Sequence, residues 1–146
     1  SELNDGINKI LKVISILIGQ EMGLEETELA QLRLAATFHD ATETVEVVSD
    51  AETAINYLEQ YVYNLIVLDL GLPDQSGELV IRATREFDAN YQTPLIVATA
   101  HANEPIQQKC LYLGADVVFI KPFNTKSLAK AIDFCHSRIE ELSRFN

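Results

Sequence analysis

Three residues in this sequence carry chemistry at the ends of apolar runs: Asp69 closes Leu65 to Leu68, Thr99 follows Leu95 to Ala98, and Lys121 follows Val117 to Ile120. A carboxylate can attack a phosphoryl donor and become an aspartyl phosphate. An ammonium can hold phosphoryl oxygens through charge-assisted hydrogen bonds, and a hydroxyl can bond another of them. Bringing an anionic carboxylate to an anionic phosphoryl group calls for a divalent cation to offset the charge. Taken singly, each residue is commonplace, a turn, cap or solvated side chain. Their joint placement is what suggests a site.

The runs that precede them are rich in Val and Ile and do not alternate with polar residues, which fits strands of a parallel sheet buried on both faces. Val45 to Val48, interrupted by Glu46, reads as a more exposed strand near an edge. Helical periodicity fills the intervals. Asp50 can cap a helix carrying Ala54, Ile55 and Leu58, and Gly77 precedes one carrying Leu79, Val80, Ala83 and Phe87. Pro105 and Gly114 bracket a third helix in the order these residues prefer. A last one runs from about Lys126, with Leu128, Ile132, Cys135, Ile139 and Leu142 on one stripe. From residue 45 onward, strand and helix thus alternate as in a doubly wound α/β sheet, whose ligands bind at the carboxyl ends of the strands. That is the edge where Asp69, Thr99 and Lys121 would meet.

The first 44 residues read less directly. Ile7, Ile10, Leu11, Ile14, Leu17 and Ile18 recur at helical spacing, while Val13 to Ile18 is equally a β-branched run suited to a buried strand. A clearer helix follows from Glu25 to about Phe38. We treat residues 10–142 as one domain, 1–9 as an N-terminal extension or linker, and 143–146 as a C-terminal tail.

The chain has 146 residues, 47% of them apolar and 23% charged, the balance of one soluble globular domain. A formal charge of -11 disfavours direct contact with nucleic acid or anionic lipid. Cys110 and Cys135 fall in helical segments without a disulfide framework, as expected of free thiols in a reducing cytoplasm. The stretch Ile10 to Ile18 is too short to span a bilayer and lacks a secretory cleavage site.

The segment from Leu65 to Gly77 (Leu-Ile-Val-Leu-Asp-Leu-Gly-Leu-Pro-Asp-Gln-Ser-Gly) resembles the phosphoacceptor strand and loop of the receiver family of two-component signalling, the CheY-like domains, and most of all the receivers of hybrid sensor histidine kinases. Pro94 to Ala100 resembles its switch-hydroxyl strand, and Gly114-Ala115-Asp116 with Lys121-Pro122-Phe123 resembles its lysine strand. Thr99 follows Asp69 by 30 residues and Lys121 follows Thr99 by 22, the family's usual separations. The likeness runs from about residue 43 to 136 without a gap.

That resemblance implies a flavodoxin-like fold, a parallel five-stranded sheet in the order 2-1-3-4-5 with helices on both faces. It implies phosphorylation of Asp69 by a histidine kinase or histidine phosphotransfer protein, with no enzymatic turnover in the ordinary sense. Thr99, Ala100 and Lys121 would bind the phosphoryl group. Mg²⁺ or Mn²⁺ would be held by Asp69, by the backbone carbonyl of Gly71 and by acids near the first strand. A cis peptide would precede Pro122, and Thr99 would move toward the phosphoryl group.

The sequence departs from the family in two places. The acidic pair that follows the first strand falls on Gln20 and Glu21 if Val13 to Ile18 is that strand, and on Glu25 and Glu26 if the count runs back from Asp50 without a gap; the helix start Leu24 to Leu29 favours the second register. The switch aromatic is replaced by Val118, with Phe119 next to it facing the other way, which suggests a phosphorelay role. Gly71 offers no side chain to orient an attacking water, while His101 can bond one, and a moderately long-lived phosphoryl group is expected. The alternative is a pseudo-receiver, an interaction module that keeps the fold without being phosphorylated. A fragment of an HD-type phosphohydrolase, suggested by His39-Asp40, lacks the further His and Asp ligands that class needs.

Overall fold

Why Ile10 to Ile18 is a strand is clear from its place in the sheet. In the computed structural model this segment, β1 (Ile10–Ile18), lies between β2 (Thr42–Val48) and β3 (Leu65–Leu70). Every residue from Val13 to Ile18 is buried, on both faces of the strand. A helix would bury one stripe, and these stiff β-branched side chains pack better on a pleated surface. Lys12, near the start of the strand, keeps its ammonium over the rings of Tyr61 and Tyr63, 5.3 and 5.4 Å from their centroids.

The structure describes residues 10–18, 42–71, 75–99, 103–120, 126–127, 130–131 and 134–135. The elements follow in the order β1, β2, α1 (Ala51–Gln60), β3, α2 (Gln75–Glu86), β4 (Leu95–Thr99), α3 (Glu104–Leu113) and β5 (Val117–Ile120). All strands are parallel, in the order β2-β1-β3-β4-β5. This is the flavodoxin-like doubly wound architecture expected from the sequence. The Glu25 to Phe38 helix lies outside the described residues.

Both faces of the sheet are covered. Ile14, Ile16, Ile66, Leu68, Leu70, Leu95 and Val97 form one core with Ala54, Leu58, Val80, Ile81 and Cys110 of the three helices. Val13, Leu17, Leu65, Val67, Ile96 and Ala98, of the opposite parity, are buried as well, as are the helical residues Ala131 and Cys135. Burial on both sides is why β3 and β4 read as unbroken apolar runs. β2, at the edge, exposes Thr44 and Val47, as the interruption at Glu46 foretold.

Helix ends follow local chemistry. Asp50 caps α1, its carboxylate accepting from the Thr53 amide at 2.7 Å and the Thr53 hydroxyl at 3.0 Å. Asn103 caps α3 by accepting from the Ile106 amide at 3.0 Å, with Pro105 in the first turn. Gly114 closes α3 at φ 128°, a conformation that favours glycine. Two expectations for α2 are corrected. Gly77 lies inside its first turn rather than ahead of it, and Leu79 is 53% exposed because the buried stripe runs through Gly77, Val80, Ile81 and Thr84. No described helix is long and apolar enough to cross a membrane.

Candidate functional site

Asp69 is the fifth residue of β3 and is only 2% exposed. It lies opposite Leu17 of β1 and Ala98 of β4. Thr99, the last residue of β4, is fully buried and lies opposite Leu70 and Ile120. Strands in a sheet are about 4.8 Å apart, so the carboxylate and the hydroxyl come from adjacent strands, one register step apart, at the carboxyl edge. A buried carboxylate is costly unless its surroundings compensate it. Its place at the central strand end of a parallel sheet is where α/β folds gather ligand chemistry.

The loop after β3 is held close to the sheet. The Gly71 amide donates to the Ile18 carbonyl at 2.8 Å, tying the ends of β1 and β3 together. A Cβ at Gly77 would come within 2.6 Å of the Leu70 Cδ2 atom, so a glycine there lets the first turn of α2 settle against the end of β3. That accounts physically for the glycine eight residues past Asp69 in the sequence.

The described structure thus brings together Asp69, Thr99 and Gly71. Val118 packs against the core in β5, opposite Val97, and Phe119 has the opposite parity, opposite Ala98. Lys121 directly follows Ile120, the register partner of Thr99. Lys121, Ala100, Pro122, His101, Glu21, Glu25, Glu26, His39 and Asp40 lie outside the described residues. The first strand of the sheet is thus the run that contains Val13 to Ile18.

The chemistry of the donors suits a hard divalent cation, which takes oxygen ligands from carboxylates and backbone carbonyls. Asp69 has a carboxylate and Gly71, two residues on, a carbonyl that could serve as such ligands. Among the described residues no cluster of three or more His, Cys, Asp or Glu side chains gathers around a metal position.

A polar network at the opposite edge of the sheet was not anticipated from the sequence. The Asn90 amide donates to the carbonyls of Leu58 and Tyr61, both at 2.7 Å, and its oxygen accepts from the Tyr63 amide and the Thr93 hydroxyl. Arg85 bonds the carbonyls of Gly114, Asn90, Tyr91 and Thr93 and the carboxylate of Asp116. Asp116 in turn accepts from the Leu95 amide at 2.8 Å. The signal was faint: Asp116 was visible within Gly114-Ala115-Asp116, but nothing in its spacing points to Arg85.

A doubly wound parallel sheet with a buried Asp and Thr at adjacent strand ends places this chain among the flavodoxin-like α/β domains. The sequence model of the response regulator receiver domain matches residues 24–133, more than half the chain, and the protein belongs to that family. The two-component response regulator PhoP of Pseudomonas aeruginosa is 32% identical over 105 residues, covering 72% of this chain and 46% of that protein. The transcriptional regulatory protein PhoP of Escherichia coli K12 is 31% identical over the same coverage. This chain therefore matches about half the length of these relatives. Among solved structures, the receiver domain of a sensor histidine kinase from Pseudomonas aeruginosa PAO1, described with magnesium in its active-site cleft, aligns with a TM-score of 0.70 at 23% identity, covering 84% of this chain and 94% of that one. A CheY-like receiver from Methanospirillum hungatei aligns at 0.69 and 18% identity, covering 94% and 99%. Receivers are phosphoacceptor signalling domains of two-component systems, not enzymes with turnover of their own.

Proposed function

We propose that this domain, spanning residues 10–142, accepts a phosphoryl group on Asp69 from a histidine kinase or histidine phosphotransfer protein and switches a partner-binding surface in response. The observation that carries the reading is the burial of Asp69 at the carboxyl end of β3, one register step from the equally buried Thr99. A carboxylate oxygen of Asp69 attacks phosphorus, the P–N bond of the donor phosphohistidine breaks, and the imidazole leaves. Thr99 and Lys121 bond the transferred phosphoryl oxygens, with the backbone at Ala100 beside them. Val118, aliphatic where an aromatic is usual, limits the accompanying side-chain motion and suits a relay role.

Mg²⁺ or Mn²⁺ would be held by the Asp69 carboxylate, the Gly71 carbonyl and an acid among Glu21, Glu25 and Glu26; bound there, it would offset the charge of carboxylate and phosphoryl group. The tie between Ile18 and Gly71 supports Glu21, which follows the strand end by three residues. The magnesium described for the sensor-kinase receiver supports the cation itself.

The test is phosphorylation by acetyl phosphate, read by intact mass with and without Mg²⁺, in the parent chain and in Glu21→Gln and the double variant Glu25→Gln, Glu26→Gln. The reading expects Mg²⁺-dependent addition of one phosphoryl group, with the variant that lacks the metal acid needing more Mg²⁺. No addition at any Mg²⁺ concentration would make the chain a pseudo-receiver.

A further inference from the structure

Two connections run side by side at the amino edge of the sheet, residues 61–64 between α1 and β3 and residues 87–94 between α2 and β4. Asn90 sews them together, its amide donating to the Tyr61 carbonyl at 2.7 Å and its oxygen accepting from the Tyr63 amide at 2.9 Å. Three large apolar side chains on these connections stay outside the core: Tyr61, Val62 and Tyr91 are 44%, 47% and 58% exposed. Single exposed apolar residues are ordinary on a protein surface. Three on backbone stitched into one unit form a patch, and a patch of this kind marks a contact surface.

The patch is set in place before anything binds. Tyr63 and Asn90, next to the exposed residues in the chain, are buried and anchor the backbone from within. The Tyr61 ring meets Tyr57 edge-on, with centroids 5.8 Å apart, and lies beneath the Lys12 ammonium. The Tyr91 carbonyl accepts from the Arg85 guanidinium at 3.2 Å. Rings and backbone held in this way lower the ordering cost of binding, and tyrosine offers a large contact area for few rotatable bonds.

Charge decides what the patch fits. The helices run back against the parallel strands, so the carboxyl ends of α1 and α2 lie at this edge and bring the partial negative charge of their last carbonyls. Glu59 stands in the last turn of α1, Glu86 closes α2, and Asp88 lies between α2 and Tyr91; all three are exposed. Lys12 is set over the tyrosine rings, Arg85 is occupied by carbonyls and Asp116, and Arg82 is exposed on α2. The chain as a whole carries a formal charge of -11. Two copies meeting through this edge would set acids against acids, whereas a cationic partner is drawn to it.

We infer that the amino edge docks a basic amphipathic segment of another protein, with its apolar side chains on Tyr61, Val62 and Tyr91 and its arginine or lysine side chains against Glu59, Glu86 and Asp88. The surface is separate from the proposed phosphorylation site. Asp69 stands four residues along β3 from Leu65, about 13 Å at the rise of a strand. The inference therefore does not depend on the reading of Asp69.

The experiment uses the full chain, labelled with nitrogen-15, and two probes: an amidated helix-forming peptide of tandem Leu-Arg-Arg-Leu repeats, and the same peptide with every leucine replaced by serine. Fluorescence anisotropy gives the affinities, and amide shifts locate the bound peptide. The leucine peptide should bind at least about tenfold tighter than the serine peptide, with the largest shifts at Tyr61, Val62, Glu86, Asp88 and Tyr91. The double variant Val62→Ser, Tyr91→Ser alters only exposed side chains and should weaken the leucine peptide about tenfold. Leu79→Ser, also exposed but on the half of α2 nearer the carboxyl edge, should not. Equal affinity for the two peptides, or shifts spread over the acidic surface, would show charge acting alone and overturn the docking site. Absence of binding up to about 1 mM would overturn it as well. Sedimentation of the chain by itself should show a monomer; a dimer that the double variant loses would overturn the basic partner in favour of a second copy. If the double variant does not fold, Tyr91→Ser and the shift map of the parent chain decide.

Discussion

The two edges of the sheet both bury polar side chains, and they use them in opposite ways. At the amino edge, Asn90 spends its side-chain bonds on the backbone of Leu58, Tyr61 and Tyr63 and on Thr93, and Arg85 collects the carbonyls of Asn90, Tyr91, Thr93 and Gly114. These groups replace ladder partners that the chain loses as it leaves one element for the next, so they hold the loops in place. At the carboxyl edge, an acid and a hydroxyl, Asp69 and Thr99, are buried on neighbouring strand ends, where α/β folds gather ligand chemistry. The amino edge ties the loops to the fold; the carboxyl edge is where the proposed chemistry lies.

Unequal effects on stability follow. Asn90→Ala should destabilise the domain most, by roughly 3 kcal/mol or more, because it strands several buried backbone groups at once. Urea unfolding of that variant measures it, and whatever remains folded should still be phosphorylated. Asp69→Asn should abolish phosphorylation and, with Mg²⁺ removed, change stability by only about 1 kcal/mol, since the amide keeps the shape of the carboxylate. If Asp69→Asn were as destabilising as Asn90→Ala, the distinction between the edges would fail.

Smaller effects sharpen the picture. Gly77→Ala pushes a methyl into Leu70 behind Asp69, and should cost about 1 kcal/mol while slowing phosphorylation through the displaced loop, measurable by thermal unfolding and by the acetyl phosphate rate. The smallest effect lies at the exposed cap Asp50, just past the end of β2. The Thr53 amide and hydroxyl hold its carboxyl below the usual range. A lowered folded value means that the cap stabilises above the unfolded pKa, near 3.9, and that this is lost as pH falls through the folded value. The urea midpoints of the parent and of Asp50→Ala should therefore differ at pH 7 and converge in strong acid.

The sequence disclosed the carboxyl edge better than the amino edge, for a physical reason. Asp69 and Thr99 are commonplace singly and announce themselves together, because each ends an unbroken apolar run and the two runs end at one edge; β3 and β4 are unbroken because both their faces are buried. The Arg85 network draws on Leu58, Tyr61, Tyr63, Asn90, Thr93, Gly114 and Asp116, which the chain brings together only after the sheet is wound. β1 stayed open between strand and helix because Ile14, Leu17 and Ile18 satisfy a helical stripe as well as a strand. Its place between β2 and β3 resolves that, even though the family match opens at Leu24, past the end of the strand. Leu79 was misplaced because an apolar residue next to a buried stripe looks the same in sequence as one within it.

The central claim is that Asp69 is the reactive carboxylate of the carboxyl edge. Peptide mass mapping of the chain after treatment with acetyl phosphate and Mg²⁺ tests it most directly. The account predicts one phosphoryl group, on the peptide containing Asp69, absent from Asp69→Asn. A phosphoryl group on another carboxylate, or none on a folded chain, would contradict it.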